Sequence, residues 1–267
     1  MQTDLLIVKT ASWIQEYLRS TGKEKVVIGM SGGIDSAVVF ELLIRAIGKR
    51  NVIPVTIPIL ASTDEEYSTA TDIWSYVFEK RGIELITLPA SGLAINSGSL
   101  IRGGIGKHPS QMTYANIQAR LRMLLLYGVA SENDALVIGT GNRSEHLMGY
   151  FTKYGDGGTD FEPIMSLYKS EVFELGRALN VPKWILNAAP SAGLWKGQTD
   201  EEEFGFTYDQ LEIVCRVLFD GMVAEGMFDI PPDIIEKIKM LYRNNLHKTK
   251  MPPLFYIERG QTGELDI

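Results

Sequence analysis

An apolar strand that runs directly into a glycine-rich polar turn and then into a helix is the feature that most constrains this chain. Residues 25–30 read Lys-Val-Val-Ile-Gly-Met, residues 31–36 read Ser-Gly-Gly-Ile-Asp-Ser, and an apolar segment of helical character follows from Ala37. Paired glycines let the backbone approach a ligand closely and adopt unusual dihedral angles. Because the amides of such a turn and the positive end of the next helix face one point, the segment predicts a cradle for a phosphate-type anion.

Two common nucleotide-binding motifs are excluded at this turn. A Walker loop ends in Gly-Lys-Ser/Thr, whereas Gly106-Lys107, which has glycines upstream, is followed by His108. The glycines at 29, 32 and 33 lack the spacing of the dinucleotide fingerprint, and the later Gly139-Thr140-Gly141 has Ser144 where the third glycine belongs. A different phosphate-binding device is therefore needed.

The Ser-Gly-Gly-x-Asp-Ser turn resembles the PP-loop of the ATP pyrophosphatases, enzymes that cleave ATP between the α and β phosphates. Ser31 and Ser36 can donate hydrogen bonds to pyrophosphate oxygens, and Asp35 offers the hard oxygen that Mg2+ prefers beside phosphates. The alternative is an ordinary strand-to-helix turn in which Asp35 and Ser36 only cap the helix.

Composition narrows the class of protein. The chain has 267 residues, is 45% hydrophobic and carries a formal net charge of −7, which allows one large core, or one core with a helical appendage. The acidic balance argues against a nucleic-acid partner, and the sequence predicts no signal peptide and no membrane span, so we expect a cytoplasmic enzyme. The single cysteine, Cys215, lies at helical spacing from Leu211 and Val214 and is expected to be a small buried apolar residue.

Strand and helix patterns alternate along the first half of the chain. Strands are predicted at 25–30, 52–58, 84–88 and 135–139, and helices at 5–20, 36–48, 63–81 and 114–129. This alternation predicts an α/β fold with a doubly wound parallel sheet flanked by helices. In such sheets ligands bind outside the carboxyl ends of the strands, so the loops at 29–36, 58–62 and 139–143 should meet in one crevice.

Two further regions complete the organisation. Residues 90–111 are rich in Gly and Ser, and we interpret them as a mobile loop, either a flap near the site or a plain surface insertion. After Pro163 the chain becomes helical, with segments near 167–180, 208–225 and 232–246. Because no clear linker precedes this helical C-terminal part, residues 1–267 are expected to form a single domain.

Four later blocks specify the family. They follow the PP-loop in a fixed order: Asn-Ile-Gln-Ala-Arg-Leu-Arg-Met at 116–123, Gly-Thr-Gly-Asn-Arg-Ser-Glu at 139–145, Phe-Thr-Lys-Tyr-Gly-Asp-Gly-Gly-Thr-Asp at 151–160 and Pro-Ser-Ala-Gly-Leu-Trp at 190–195. In this order and spacing they closely resemble the ammonia-dependent NAD synthetases, and the resemblance covers nearly the whole chain apart from residues 90–111. It implies the adenine nucleotide alpha hydrolase-like fold.

The resemblance also implies a reaction. A ligase of this family adenylylates the carboxylate of nicotinate adenine dinucleotide (deamido-NAD) with ATP and releases pyrophosphate; ammonia then displaces AMP and leaves NAD, the last step of NAD biosynthesis. The expected cofactor is Mg2+, with ATP as co-substrate. A carboxylate is a poor acyl electrophile, so activation as a mixed anhydride suits this chemistry, and the protein's tasks are charge neutralisation and alignment.

Matching positions carry the family's site residues onto this sequence. The residues that match the ATP site are Gly29, Met30, Ser31, Gly32, Gly33, Ile34, Asp35, Ser36, Thr140, Lys169 and Ser191. Asp35 and Glu145 match the Mg2+ ligands, and Asp35, Lys169 and Ser191 are the predicted catalytic residues. The residues that match contacts to deamido-NAD are Arg120, Lys153, Asp160, His247 and Lys248. Two positions depart from the common pattern: Ile34 stands where many relatives carry glutamine, and Ser191 stands where relatives often carry threonine.

The resemblance further implies the partners. Since no amidase-like region precedes the PP-loop and Cys215 is unsuited as a glutaminase nucleophile, free or delivered ammonia is the expected nitrogen donor; related synthetases are homodimers. Two alternatives stay open at this point. One is another PP-loop enzyme: the acidic balance and the lack of paired cysteines argue against a tRNA-modifying thiolase, and the segments at 153–160 and 190–195 argue against other ligases. The other is a nucleotide-binding sensor without turnover.

Overall fold

Four parallel strands form the centre of the molecule in a computed structural model that describes residues 3–59, 69, 71–191, 199–223 and 225–255. They are β1 (Lys25–Gly29), β2 (Val52–Thr56), β3 (Ile86–Thr87) and β4 (Ala135–Ile138), in the order β3-β2-β1-β4. The chain proceeds from β1 outward to β3 and then returns to place β4 on the other side of β1. The topological switch point therefore lies between β1 and β4, which confirms the predicted doubly wound sheet.

Helices cover both faces of the sheet and form the C-terminal part. In chain order they are α1 (Thr3–Thr21), α2 (Ile34–Ile47), α3 (Ser91–Ile105), α4 (Gln111–Asn133), α5 (Arg143–Met148), α6 (Lys169–Ala178), α7 (Lys183–Leu186), α8 (Asp200–Phe204), α9 (Tyr208–Leu218) and α10 (Pro232–Asn245). A π-helical turn spans Ser75–Lys80, inside the helix predicted at 63–81; residues 63–68 and 70 of that prediction lie outside the described residues. In the described parts, no helix is both long enough and apolar enough to cross a membrane.

Side chains of β1 point alternately to the two faces of the sheet, and each face packs against its own apolar layer. Val26 and Ile28 join a core with α1, α2 and α6, whereas Val27 packs with apolar residues of β2, β4, α3 and α4. Successive strand residues point to opposite faces, so a sheet that is covered on both sides needs this continuous apolar run. A third cluster joins α8, α9 and α10 and includes Phe204, Leu211 and Ile238.

Residues 90–111 were expected to form a mobile loop, and that expectation is wrong. Most of the segment is helix α3, which packs against α4. A Cβ on Gly98 would lie 2.2 Å from Tyr114 Cε1, so glycine is the residue that admits this close approach. The Ser97 and Ser99 hydroxyls donate to the carbonyl oxygens four residues earlier, at 2.8 and 3.0 Å. Gly98 therefore allows α3 to pack closely on α4.

The helix predicted at 208–225 also ends earlier, at Leu218. Gly221 adopts a positive φ of 66°, which a helix cannot accommodate. The preceding residue, Asp220, accepts hydrogen bonds from Arg143 and Tyr168, and these bonds hold the chain in its turn. The end of this helix is thus fixed by partners distant in sequence.

Candidate active site

The glycine-rich loop between β1 and α2 is held by its own serine side chains. The Ser31 and Ser36 hydroxyls lie 3.1 Å apart, Ser36 Oγ donates to the Gly33 carbonyl at 2.9 Å, and the Gly33 amide donates to Ser31 Oγ at 3.2 Å. Gly32 has a φ of 85°, and a Cβ there would lie 3.0 Å from Thr69 Cγ2. Gly32, the first glycine of the Ser-Gly-Gly turn, is therefore required by conformation and by space.

Side chains from three loops meet beside this turn. Lys169 Nζ, at the start of α6, lies 2.6 Å from Asp35 Oδ2 and 3.4 Å from Glu145 Oε1. Asp35 belongs to the first turn of α2 and Glu145 to α5, which follows β4. The Lys169 side chain is 5% exposed and the two carboxylates are 16% and 20% exposed. The cluster thus lies at the switch point between β1 and β4, as the predicted crevice requires.

Asn142 connects the two acidic residues and was not identified from the sequence. Its amide Nδ2 donates to Asp35 Oδ1 at 2.9 Å, and its Oδ1 accepts from the Glu145 amide at 3.0 Å. Glu145 Oε2 in turn accepts from the Asn142 amide at 3.3 Å, which completes a capping box at the start of α5. The signal was present in the sequence, because Asn followed three residues later by Glu is typical of a helix start.

Electrostatics keep Lys169 charged within this cluster. Burial alone would lower the pKa of the Lys169 ammonium, but the facing carboxylates of Asp35 and Glu145 outweigh it and hold that pKa above its ordinary value. Burial raises the pKa of Glu145, with Lys169 opposing the rise and Asp35 adding to it. Lys169 therefore stays protonated at neutral pH and is the positive centre of the site.

Asp200 is a second residue that the sequence did not single out. It is 2% exposed, its Oδ2 accepts from the Tyr208 hydroxyl at 2.7 Å, and its Oδ1 has no hydrogen-bond partner within the part of the chain that the structure describes. Lys169 Nζ lies 5.6 Å from the centre of the Tyr208 ring. In the sequence Asp200 opens an acidic run that resembles a solvated first helical turn, so only tertiary placement reveals it.

The chemistry of the two carboxylates fits a hard divalent cation. Asp35 and Glu145 converge on one positive charge, and Mg2+ uses one or two protein carboxylates together with phosphate oxygens and water. Within the described ranges, no cluster of three or more His, Cys, Asp or Glu side chains suits a metal ion. An all-protein cage is thus not formed by these residues, whereas a cation shared with a phosphate ligand matches them.

Four of the five residues predicted to contact deamido-NAD lie together. Arg120 Nη2 donates to the Lys153 carbonyl at 3.2 Å, and Lys153 Nζ donates to the His247 carbonyl at 2.7 Å. Lys248 Nζ donates to the carbonyls of Gly149 and Phe151 at 2.7 and 3.1 Å. The C-terminal pair is therefore bound to the loop at 149–153.

Asp160, the fifth of these residues, lies at the edge of β4. Its Oδ2 accepts from the Val137 amide at 2.7 Å and its Oδ1 accepts from the Tyr127 hydroxyl at 3.1 Å. Both oxygens already have donors, so this carboxylate also stabilises the edge of the sheet.

The remaining predicted residues differ in their surroundings. Thr140 lies in the loop after β4, between two glycines whose amides donate to the Phe161 carbonyl and to Glu162 Oε2. Ser191 is exposed. The next residues, 192–198, lie outside the described residues, and they include most of the 190–195 block. Residues 60–62 of the predicted crevice loop also lie outside them.

A parallel sheet with a glycine-rich loop and a buried Asp-Lys-Glu cluster at its switch point defines a nucleotide-binding α/β protein of the adenine nucleotide alpha hydrolase-like class. The family model described as NAD synthase matches residues 6–252. The chain therefore belongs to the NAD synthase family.

Individual relatives agree with this assignment. The NH(3)-dependent NAD(+) synthetase of Methanococcoides burtonii is 40% identical over 246 residues, which are 90% of each chain. Among solved structures, an NMN synthetase from Francisella tularensis superimposes with a TM-score of 0.83 at 33% identity, over 96% of this chain and all of that one. An NH3-dependent NAD synthetase from Campylobacter jejuni gives a TM-score of 0.76 at 28% identity with the same coverage.

Proposed function

We propose that the protein is an ammonia-dependent NAD synthetase, a ligase that amidates deamido-NAD at the expense of ATP. The observation that carries this proposal is the buried Asp35-Lys169-Glu145 cluster beside the glycine-rich loop, in a chain of the NAD synthase family. The curated relative from Methanococcoides burtonii bears the name of this activity.

The proposed reaction has two steps. A carboxylate oxygen of deamido-NAD attacks the α-phosphorus of ATP and pyrophosphate leaves; ammonia then attacks the acyl carbon, loses a proton, and AMP leaves. In the first step the loop from Gly29 to Ser36 would hold the phosphates through amides and hydroxyls, and the protonated Lys169 would stabilise their charge. Thr140 and Ser191 are proposed to complete the ATP site.

Asp35 and Glu145 are the residues that would hold Mg2+, because they offer two converging hard oxygen ligands. The ion would neutralise charge on the phosphate oxygens of ATP. Asn142 keeps Asp35 oriented through its 2.9 Å hydrogen bond, and Lys169 keeps the two carboxylates together. The chain's own contribution is thus to fix two carboxylates and one ammonium group at the switch point.

The dinucleotide is proposed to bind beside the loop at 149–153. Arg120, Lys153 and Lys248 bring positive charge to this region, which suits the pyrophosphate and carboxylate groups of deamido-NAD. His247 and Asp160 are proposed to contribute from the C-terminal turn and from the edge of β4. All three cations donate hydrogen bonds to backbone carbonyls, so their positions are set before a ligand arrives.

Ammonia, rather than glutamine, is proposed as the nitrogen donor, with residues 1–267 acting as one synthetase domain. Cys215, the single cysteine, is fully buried and burial raises its pKa to about 12, which is unsuited to a glutaminase nucleophile. We further propose that the enzyme is a cytoplasmic homodimer. Exposed apolar side chains on α3 and α4, among them Leu100 and Leu124, support an association surface there.

The neighbour from Francisella tularensis favours a second candidate substrate. That protein is described as an NMN synthetase, so the same amidation on nicotinate mononucleotide is the alternative acceptor chemistry. Both reactions would use the same adenylylation site. Their substrates differ in size, because one is a dinucleotide and the other a mononucleotide.

One assay separates these candidates. Purified protein is incubated with ATP, Mg2+ and ammonium, together with either deamido-NAD or nicotinate mononucleotide, and the amide, AMP and pyrophosphate are quantified. NAD with stoichiometric AMP from deamido-NAD supports the proposal, and preference for the mononucleotide supports the alternative. Equal use of glutamine by the pure protein would contradict ammonia dependence. Exchange of pyrophosphate into ATP without amide formation from either acceptor would indicate that the enzyme acts on another substrate.

A further inference from the structure

Glu162 packs against the loop that follows β4 and accepts two hydrogen bonds there. The Gly141 amide donates to Glu162 Oε2 at 3.1 Å, and the Thr159 hydroxyl donates to Oε1 at 3.0 Å. Glu162 is absent from the residues that the family resemblance carries over. Its contacts are nevertheless with the loop that holds Thr140.

The loop is shaped around this carboxyl group. A Cβ on Gly139 would lie 2.4 Å from Glu162 Cδ, and a Cβ on Gly141 would lie 2.8 Å from Glu162 Oε2. Real side chains do not tolerate such distances, so both residues that flank Thr140 must be glycine for Glu162 to occupy its place. The two glycines and the acid form one packed unit.

Glu162 also continues the sheet beyond the end of β4. Ile138 forms a parallel bridge with Phe161, and the Gly139 amide donates to the Phe161 carbonyl at 2.9 Å. Two residues further along, the Gly141 amide donates to the Glu162 side chain. A side chain thus replaces the backbone as acceptor where the loop turns toward the Asp35-Lys169-Glu145 cluster.

We propose that Glu162 is a positioning residue that fixes the Gly139–Gly141 loop and thereby sets the affinity of the enzyme for ATP. This inference rests on the proposed function, in which Thr140 belongs to the ATP site. Glu162 acts through the Gly141 amide, whose position determines where Thr140 lies.

The ionisation of Glu162 supports this role. Burial raises the pKa of Glu162 to about 7, the hydrogen bonds from Thr159 and Gly141 oppose the rise, and the nearby carboxylate of Asp156 adds to it. An ionised carboxylate holds an amide donor more strongly than a neutral acid does. The loop should therefore be held more firmly above neutral pH than below it.

The first test is Glu162→Gln, which keeps the shape of the side chain but removes its charge at every pH. The matched control is Glu16→Gln, at an exposed position on α1. At pH 8 we expect the KM for ATP to rise about fivefold in Glu162→Gln, with the KM for the second nucleotide substrate unchanged. The wild-type KM for ATP should fall, relative to that of the variant, as pH rises through about 7. Equal increases in both KM values, or no change in either, would overturn the positioning role.

A direct measurement separates this inference from the proposed function. In the ligand-free protein, the Gly141 amide resonance should titrate near neutral pH in the wild type and should not titrate in Glu162→Gln. ATP affinity is measured by calorimetry, so the result stands even if the enzyme makes no NAD. Titration of Gly141 with unchanged ATP affinity would overturn the inference, and so would the absence of any titration.

A second variant covers the case in which Glu162→Gln does not fold. Thr159→Val removes one donor that stabilises the ionised carboxylate, so the pH dependence of ATP affinity should move to higher pH. A profile identical to that of the wild type would contradict the proposal.

Discussion

Asn142 Nδ2 donates a 2.9 Å hydrogen bond to Asp35 Oδ1, and this bond joins two loops that are 107 residues apart in the chain. Asn142 is fully buried and also caps α5. The orientation of Asp35 is therefore set by the same side chain that starts the helix carrying Glu145.

This bond makes Asp35→Asn an informative variant, because the substituted amide oxygen can still accept from Asn142. We expect adenylylation at fixed Mg2+ to fall by about 100-fold or more, since one of the two proposed Mg2+ ligands loses its charge. Dinucleotide binding should change little. Pyrophosphate exchange and calorimetry measure the two quantities, with Asp233→Asn as the exposed control. Equal loss of both would contradict the metal role.

Lys169→Gln should destabilise the fold as well as abolish activity. The substitution leaves the Asp35 and Glu145 carboxylates facing each other without a cation, and removing one partner of a buried ion pair costs about 3 kcal/mol. The loss should shrink as pH falls, because protonation removes the unpaired charge. Denaturant unfolding at pH 5 and pH 8 measures it, and Lys183→Gln, at an exposed position, is the control. An unchanged free energy of unfolding at pH 8 would be inconsistent with this description.

Two glycines of α3 should respond oppositely to alanine. Gly103 has open space around its Cβ position, so Gly103→Ala should stabilise the protein by about 0.5 kcal/mol through a less flexible unfolded chain. Gly98→Ala should destabilise it by about 1 kcal/mol or more, because the new methyl group meets the Tyr114 ring. Thermal unfolding of the two variants tests the pair, and equal stabilisation by both would show that α3 does not pack on α4 as described.

Cys215 should be inert in the folded protein. Its thiol is fully buried and its pKa is raised to about 12 by burial, so almost no thiolate is available at pH 8. Ellman's reagent should detect no thiol in the native enzyme and one thiol per chain after denaturation. Rapid labelling of native protein, or loss of synthetase activity on brief alkylation, would contradict this prediction.

Sedimentation should give twice the chain mass of 29.7 kDa at micromolar concentration. The physical reason is the exposed apolar surface of α3 and α4, including Leu93, Ile95 and Leu124. Leu100→Lys combined with Leu124→Lys should shift the protein toward monomer if this surface is the interface. A monomeric wild type would reject the homodimer.

The sequence predicted the sheet well because each parallel strand is an unbroken apolar run between recognisable turns. It failed at α3, where composition suggested flexibility but Gly98 provides room for Tyr114. Local composition cannot show that a distant aromatic ring will fill the space beside a glycine. Tertiary packing overrides intrinsic propensity in such cases.

The candidate site was predictable only in part for a related reason. Asp35 and Lys169 follow from motifs, whereas Asp200 resembles its exposed acidic neighbours until the fold buries it beside Tyr208. Glu162 was missed because its partners are one backbone amide and one hydroxyl, which leave no pattern in the sequence.

Glu145 serves two structures with its two oxygens: Oε2 closes the capping box with Asn142, and Oε1 faces Lys169. If the first turn of α5 unfolds, Glu145 consequently also moves away from Asp35 and Lys169. A chain in which this corner has not formed therefore lacks the paired carboxylates to which we assign Mg2+, so correct folding at the start of α5 is a condition for the proposed activity.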